Sequence, residues 1–152
     1  MARELIHGTC VAFGQRAALL RGEPGAGKSD LALRFLALPG TGEHEPTLIA
    51  DDQVWVEAGK DGRLLASAPE TITGRMEVRG IGIVDFPFLA EAPLALVCDL
   101  TPRADVPRMP PEPWERTMIA GVGVPLLRLS AFEDSAALKL KVALLLVRQG
   151  TH

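Results

Sequence analysis

Eight consecutive residues, Gly22-Glu23-Pro24-Gly25-Ala26-Gly27-Lys28-Ser29, satisfy the spacing G-x-x-x-x-G-K-[ST]. Glycines at these positions let the backbone wrap closely and aim successive N–H groups at phosphate oxygens, and the start of a following helix adds its partial positive charge. In that arrangement Lys28 reaches the outer phosphates and the Ser29 hydroxyl ligates Mg²⁺, so the chemistry on offer is the binding of a nucleotide through its phosphates. A Gly-rich turn ahead of a helix, with Lys28 merely solvated, is the simpler alternative. The flanks favour the phosphate loop: Ala17-Ala18-Leu19-Leu20 reads as a strand entering it, and residues 30–36 as a helix leaving it, with Leu31/Phe35 and Ala32/Leu36 four apart.

The next candidates are carboxylates. Thr47-Leu48-Ile49-Ala50 is a buried-strand pattern ending in Asp51-Asp52, which puts two acids at the C-terminal end of a strand, where α/β nucleotide sites keep metal and base chemistry. Paired aspartates also suit solvated turns and helix caps. Here Gln53-Val54-Trp55-Val56 resumes an extended apolar alternation at once, so the pair interrupts strand-like sequence. Further on, Glu77-Val78-Arg79-Gly80-Ile81-Gly82 predicts a strand with Glu77 and Arg79 on one face and a bulge or close backbone approach at the glycines. A salt-bridged strand with no function would read the same way. His7 stands near a strand start and, taken alone, is an ordinary solvent-facing histidine.

The remaining elements must position these groups. Thr9–Phe13 has the β-branched and apolar content of a strand, turned at Gly14-Gln15 into the strand that feeds the loop. Residues 59–62 close a hairpin into 64–68, and residues 94–98 form another buried-strand run. Residues 102–113 are a Pro-rich connector that reads either as a lid or partner-contact loop or as an inert link. Val122–Leu129 is the last strand, and Ser130-Ala131-Phe132-Glu133 has the capping-box spacing for a helix running to Val147, with Lys139, Lys141 and Arg148 on its solvated face. The fold class is α/β: a phosphate-loop mixed sheet with flanking helices, because the short turns imply antiparallel hairpins that a purely parallel sheet lacks.

Composition narrows the class. At 152 residues, with 47% hydrophobic and 23% charged residues, the chain reads as a single domain over 1–152 with a real core. A net charge of −3 without a basic cluster argues against a nucleic-acid partner, and the apolar run at 142–147 is too short to span a bilayer. Arg3 and Glu4 stand where a secretory signal needs an apolar run, so the expected location is the cytoplasm. Cys10 and Cys98 lack metal-ligand spacing and read as small buried hydrophobes in a reducing compartment.

Taken in order, His7-Gly8, the loop at 22–29, Ala50-Asp51-Asp52, the Glu77 to Gly82 signature and Glu115-Arg116 give the chain a pattern that resembles the catalytic domain of bacterial HPr kinase/phosphorylase. The resemblance covers most of the chain and implies the HPr kinase/phosphoenolpyruvate carboxykinase-like fold. It further implies an ATP- and Mg²⁺-dependent protein-serine kinase acting on a seryl residue of a small HPr-like phosphocarrier protein. By the same resemblance His7 is an active-site residue, Asp52 the base for the substrate hydroxyl and Lys28 a phosphate ligand. Ser29 and Glu77 become metal ligands, Asp51 a partner that supports those ligands from behind or an alternate metal partner, and Arg116 a catalytic cation. The family's N-terminal domain and its Pro-rich basic loop before the final helix have no counterpart in this sequence, so the implied activity is the kinase reaction rather than phosphorolysis, and the oligomeric state stays open. A small-molecule kinase or carboxykinase-like enzyme and a nucleotide-sensing module are the competing readings. Retention of Lys28, Asp52, Glu77 and Arg116 weighs against the sensor, and the shortness of the chain weighs against an enclosed small-molecule site.

Overall fold

The computed structural model describes residues 2–147. The strands are β1 (Arg3–His7), β2 (Thr9–Phe13), β3 (Arg16–Arg21), β4 (Pro46–Ala50), β5 (Gln53–Ala58), β6 (Leu64–Ser67), β7 (Arg75–Val78), β8 (Gly82–Asp85), β9 (Glu91–Leu100), β10 (Arg116–Ile119) and β11 (Val122–Leu129). The helices are α1 (Lys28–Leu36) and α2 (Ala136–Leu146). Seven strands follow the order β1-β5-β6-β9-β3-β2-β4, β11 joins β9 and carries β10, and β7 with β8 forms a separate two-stranded sheet. Pairing is parallel at β3–β9 and β9–β11 and antiparallel in the other strand pairs, so the mixed sheet expected from the turns is present.

The central strands are apolar at nearly every position because both of their faces are covered. Ala18, Leu20, Leu96 and Cys98 point into one cluster, while Ala17, Leu19 and Val97 point into the other, following the two-residue alternation of a strand. Leu19 and Leu20 are fully buried, each contributing about 1.5–3 kcal/mol of apolar burial. Leu31, Ala32 and Phe35 of α1 and Leu140 and Leu144 of α2 all enter the first cluster. The two flanking helices therefore share one face of the sheet. The opposite cluster is closed by Val54 and Val56 of β5, Ala66 of β6 and Ile119 of β10. Both cysteines are free and buried, and burial raises both thiols, Cys98 to about 12 and Cys10 further still.

Among the differences from the sequence reading are two strands and one boundary. β1 pairs with β5, about fifty positions downstream, and β10 pairs with β11, and neither had been anticipated. The α2 helix begins at Ala136 with Ser135 at its N-cap, so Ser130 does not cap it. The Glu133 carboxylate turns instead to Lys139, 3.3 Å away, and Arg103, 3.8 Å away. At the far end of α2, Arg16 donates to the carbonyls of Leu144 (2.9 Å) and Leu145 (3.2 Å), a cation where the helix dipole favours one. Lys141 is not simply solvated: its ammonium stands 5.1 Å from the centre of the Phe13 ring. Arg148 lies outside the described residues. Among the described residues no helix is long and apolar enough to cross a membrane.

Candidate active site

The loop at 22–27 leaves β3 at a fastened point. Arg21 makes a two-pronged ion pair with Asp99 of β9, at 2.8 and 3.1 Å, so the strand cannot drift where the loop begins. The amide of Ala26 donates to the Glu23 carbonyl at 2.9 Å, closing the turn. Gly27, the N-cap of α1, has φ +94°, and a Cβ there would stand 2.8 Å from the Ala131 Cβ. Only glycine fits that conformation without strain. Lys28 follows, its ammonium donating to the carbonyls of Gly22 (2.8 Å) and Glu23 (3.1 Å).

From β4 comes the carboxylate pair, and its two members are held differently. Asp51 Oδ1 accepts hydrogen bonds from the hydroxyls of Ser29 and Thr9, both at 2.9 Å. Thr9 is itself buried on β2, so this set is rooted in the sheet. Asp52 has φ +74°, a left-handed conformation that aspartate tolerates better than most residues, and its carbonyl accepts the Gly8 amide at 3.0 Å. That backbone kink points its carboxylate outward. Its Oδ1 lies 3.5 Å from His7 Nε2, with the two side chains 72% and 64% exposed, open to an incoming group. His7 reaches this place as the last residue of β1, opposite Gln53 of β5.

Facing the loop across a cleft of about 860 Å³ is the β7–β8 hairpin. Met76 buries its side chain in the helix-side cluster, and the Phe86 amide bonds to the Gly74 carbonyl at 2.9 Å, so the hairpin is anchored at its root. Glu77, Arg75 and Arg79 line the same cleft as His7, Lys28, Ser29, Asp51 and Asp52. The strand ends at Val78, so Glu77 and Arg79 do not share a strand face: Arg79 lies in the turn, where Gly80 takes φ +91°.

Arg116 is not brought to this cleft. It opens β10, donates to the Gly123 carbonyl at 3.2 Å and lines a different hollow with Pro93, Leu94 and Pro125. Its neighbour Glu115 pairs with Arg128, whose guanidinium is held protonated chiefly by that hydrogen bond. Residues 102–113 contribute nothing to the lining of the phosphate-loop cleft. Thr9 and Arg75 had gone unnoticed. Thr9 had looked like an ordinary β-branched strand residue, and only its pairing register reveals the bond to Asp51. Trp55 is a β5 strand residue with the Arg3 guanidinium 3.6 Å from its ring centre.

Among the described residues no three or more His, Cys, Asp or Glu side chains gather as a ready-made metal cage. Ser29 and Asp51, with Glu77 across the cleft, offer hard oxygen donors of the sort Mg²⁺ takes alongside phosphates and water. The donor chemistry fits.

A strand, a glycine loop and a helix, with carboxylates at the end of a further strand, define a phosphate-loop α/β protein. Within that class the chain belongs to the HPr serine kinase C-terminal domain family, whose model matches residues 1–90. The matched span takes in His7, the loop, the aspartate pair and Glu77, and ends before Arg116. The HPr kinase/phosphorylase of Limosilactobacillus reuteri is 37% identical over 83 residues, 55% of this chain and 24% of the relative. That of Exiguobacterium sibiricum is 33% identical over 102 residues, 62% of this chain and 31% of the relative. The chain thus spans about a quarter to a third of the length of these curated relatives. The structure of the Hpr(Ser) kinase/phosphatase from Coxiella burnetii matches with a TM-score of 0.72 at 22% identity, covering 91% of this chain and 92% of that one, and has the same fold.

Proposed function

We propose that this protein is an ATP- and Mg²⁺-dependent protein-serine kinase whose substrate is an HPr-like phosphocarrier protein. The observation that carries the proposal is the placement of Asp52: an outward-facing carboxylate beside His7, at the mouth of the cleft that holds Lys28 and Ser29. Family membership and the name of its relatives support the substrate assignment.

Phosphoryl transfer asks the protein mainly for positioning and charge. The loop amides and Lys28 bind the phosphates, Lys28 exchanging its carbonyl contacts for phosphate oxygens. Ser29, Asp51 and Glu77 would hold Mg²⁺, which when bound would neutralise charge at the outer phosphates. Asp52 accepts the proton of the substrate's seryl hydroxyl as that oxygen attacks, and His7 orients the carboxylate. With Arg116 outside the cleft, Arg75 and Arg79 of the hairpin are the cations that meet the transferred group together with Lys28. The proposal covers the forward reaction, in the cytoplasm, with no nucleic-acid or membrane partner.

Transfer of label from γ-labelled ATP to a purified HPr-like protein, with Mg²⁺ and with Asp52→Asn as control, tests this reading. Seryl label that disappears in the variant is the expected result. Tight ATP binding without transfer to the protein would instead favour a small-molecule enzyme or a sensor.

A further inference from the structure

Four charged side chains stand in a row at the point where the phosphate loop begins. Strand register places Asp99 of β9 between Arg21 of β3 and Arg128 of β11, and Arg128 pairs in turn with Glu115, the residue before β10. Arg21 donates to both oxygens of Asp99, at 2.8 and 3.1 Å, and the charges of Glu115 and Asp99 both act on the Arg128 guanidinium. None of the four side chains is fully buried. Ion pairs this open to solvent add little to folding stability, so the row is not what holds the sheet together.

The row lies where β3 runs out of other support. β3 pairs with β2 only as far as Leu20, opposite Thr9, so Arg21 keeps a strand partner on the β9 side alone. That side is firm: Leu100 stands opposite Leu129, and the Thr101 amide donates to the Leu129 carbonyl at 2.9 Å. Gly22 follows Arg21 directly and packs against β9, since a Cβ built on it would stand 3.3 Å from the Leu100 carbonyl oxygen. The carbonyl of that same Gly22 accepts the Lys28 ammonium at 2.8 Å. Only one residue therefore separates the ionic row from the atom that sets the resting place of the lysine. We propose that Asp99, backed by Arg128 and Glu115, is a positioning residue of the phosphate site: it fixes the end of β3, and with it the placement of Gly22 and Lys28 toward a nucleotide's phosphates. Removing its charge would leave Arg21 and Arg128 as unscreened neighbours of like sign and free the strand end from which the loop departs. The proposal rests on the phosphate-loop reading above and adds residues that lie outside the loop's own spacing.

Calorimetry of MgATP and of magnesium tripolyphosphate binding to the full chain tests it, with urea unfolding and transfer kinetics alongside, for the wild type, Asp99→Asn, Arg128→Gln and Glu115→Gln. Asp99→Asn is expected to weaken both ligands about tenfold and in equal proportion, because the row acts on the phosphates and not on the rest of the nucleotide. In turnover the same variant should raise the KM for MgATP by that factor and leave kcat within about twofold. The effect should fade along the row, to about threefold in Arg128→Gln and less in Glu115→Gln. Arg128→Gln keeps the Arg21–Asp99 pair, so it reads the same coupling even if Asp99→Asn does not fold. Unchanged affinity in folded Asp99→Asn and Arg128→Gln, with only the urea midpoint lowered, would make the row a structural ion pair and overturn the proposal while leaving the phosphate loop intact. A wild type that binds neither ligand would bring down the phosphate-loop reading, and the positioning role with it.

Discussion

On one side of the cleft, Ser29, Asp51 and Thr9 close a set of hydrogen bonds rooted in strands that are buried on both faces. On the other, Glu77, Arg75 and Arg79 stand on a two-stranded hairpin whose Ile81 and Ile83 are 79% and 67% exposed. Two strands alone are marginal in water, so this wall owes its shape to its root at Met76, Gly74 and Phe86. The phosphate-loop side is closed by internal hydrogen bonds, whereas the hairpin side leaves Glu77 and Arg79 exposed and pairs Arg75 with Asp85 at 3.6 Å. Asp52 sits at the junction, on the rigid wall by its backbone and in solvent by its carboxylate.

The largest expected effect falls at that junction. Asp52→Asn should lower phosphotransfer by about 10²–10⁴-fold while MgATP affinity stays near that of the wild type, read by single-turnover labelling beside calorimetry. An equal loss of affinity would place Asp52 in the hydrogen-bonded wall and erase the contrast. Next comes Glu77→Gln, expected to raise the Mg²⁺ concentration needed for half-maximal transfer by about tenfold under the proposed metal role of this carboxylate. A metal titration that does not move would remove the hairpin from metal binding. Thr9→Val deletes a buried donor to Asp51 and should cost about 1 kcal/mol in urea unfolding with a smaller change in turnover. Were turnover to fall further than stability, the Asp51 set would be a catalytic device more than a structural one.

At neutral pH the smallest effect, essentially none, is expected from the two thiols behind the rigid wall. Burial raises Cys98 to about 12 from an unperturbed 9.0, and raises Cys10 in the same direction. Below pH 9 both folded and unfolded chains keep these protons, so stability does not depend on them. Between about pH 9 and 12 the unfolded chain releases protons that the folded one retains, and unfolding free energy falls by about 1.4 kcal/mol per pH unit for each thiol. Urea titrations across that range read the slope, and a flat profile would mean that this core admits water.

The rigid wall was largely legible in the sequence, because its signals are local: a glycine loop between an apolar strand and an amphipathic helix, and a carboxylate pair cutting into strand pattern. The hairpin wall was legible only in part. The glycines at 80 and 82 marked irregular backbone, but the end of the strand at Val78, and with it the place of Arg79, depends on pairing with β8. β1 escaped notice because most of its side chains are exposed and its pairing is with distant β5. Arg116 was tied to the site by an acidic-Arg motif, and its actual place follows from the β10–β11 register, which no local pattern announces. Ser130 had the spacing of a cap but not the neighbours, since Lys139 and Arg103 hold the Glu133 carboxylate that a capping box would use, and the helix begins only at Ala136.

The outer edge of β4 is the last of the main path of strands, and it is not bare. The Leu48 amide donates to the Pro87 carbonyl, and the Leu89 amide to the Leu48 carbonyl, so the segment descending from the hairpin lies along that edge. The same few residues thus act as a stalk for the hairpin wall and as a guard against strand addition by a second molecule. A deletion that carries off the stalk would therefore leave an open sheet edge on β4, prone to self-association.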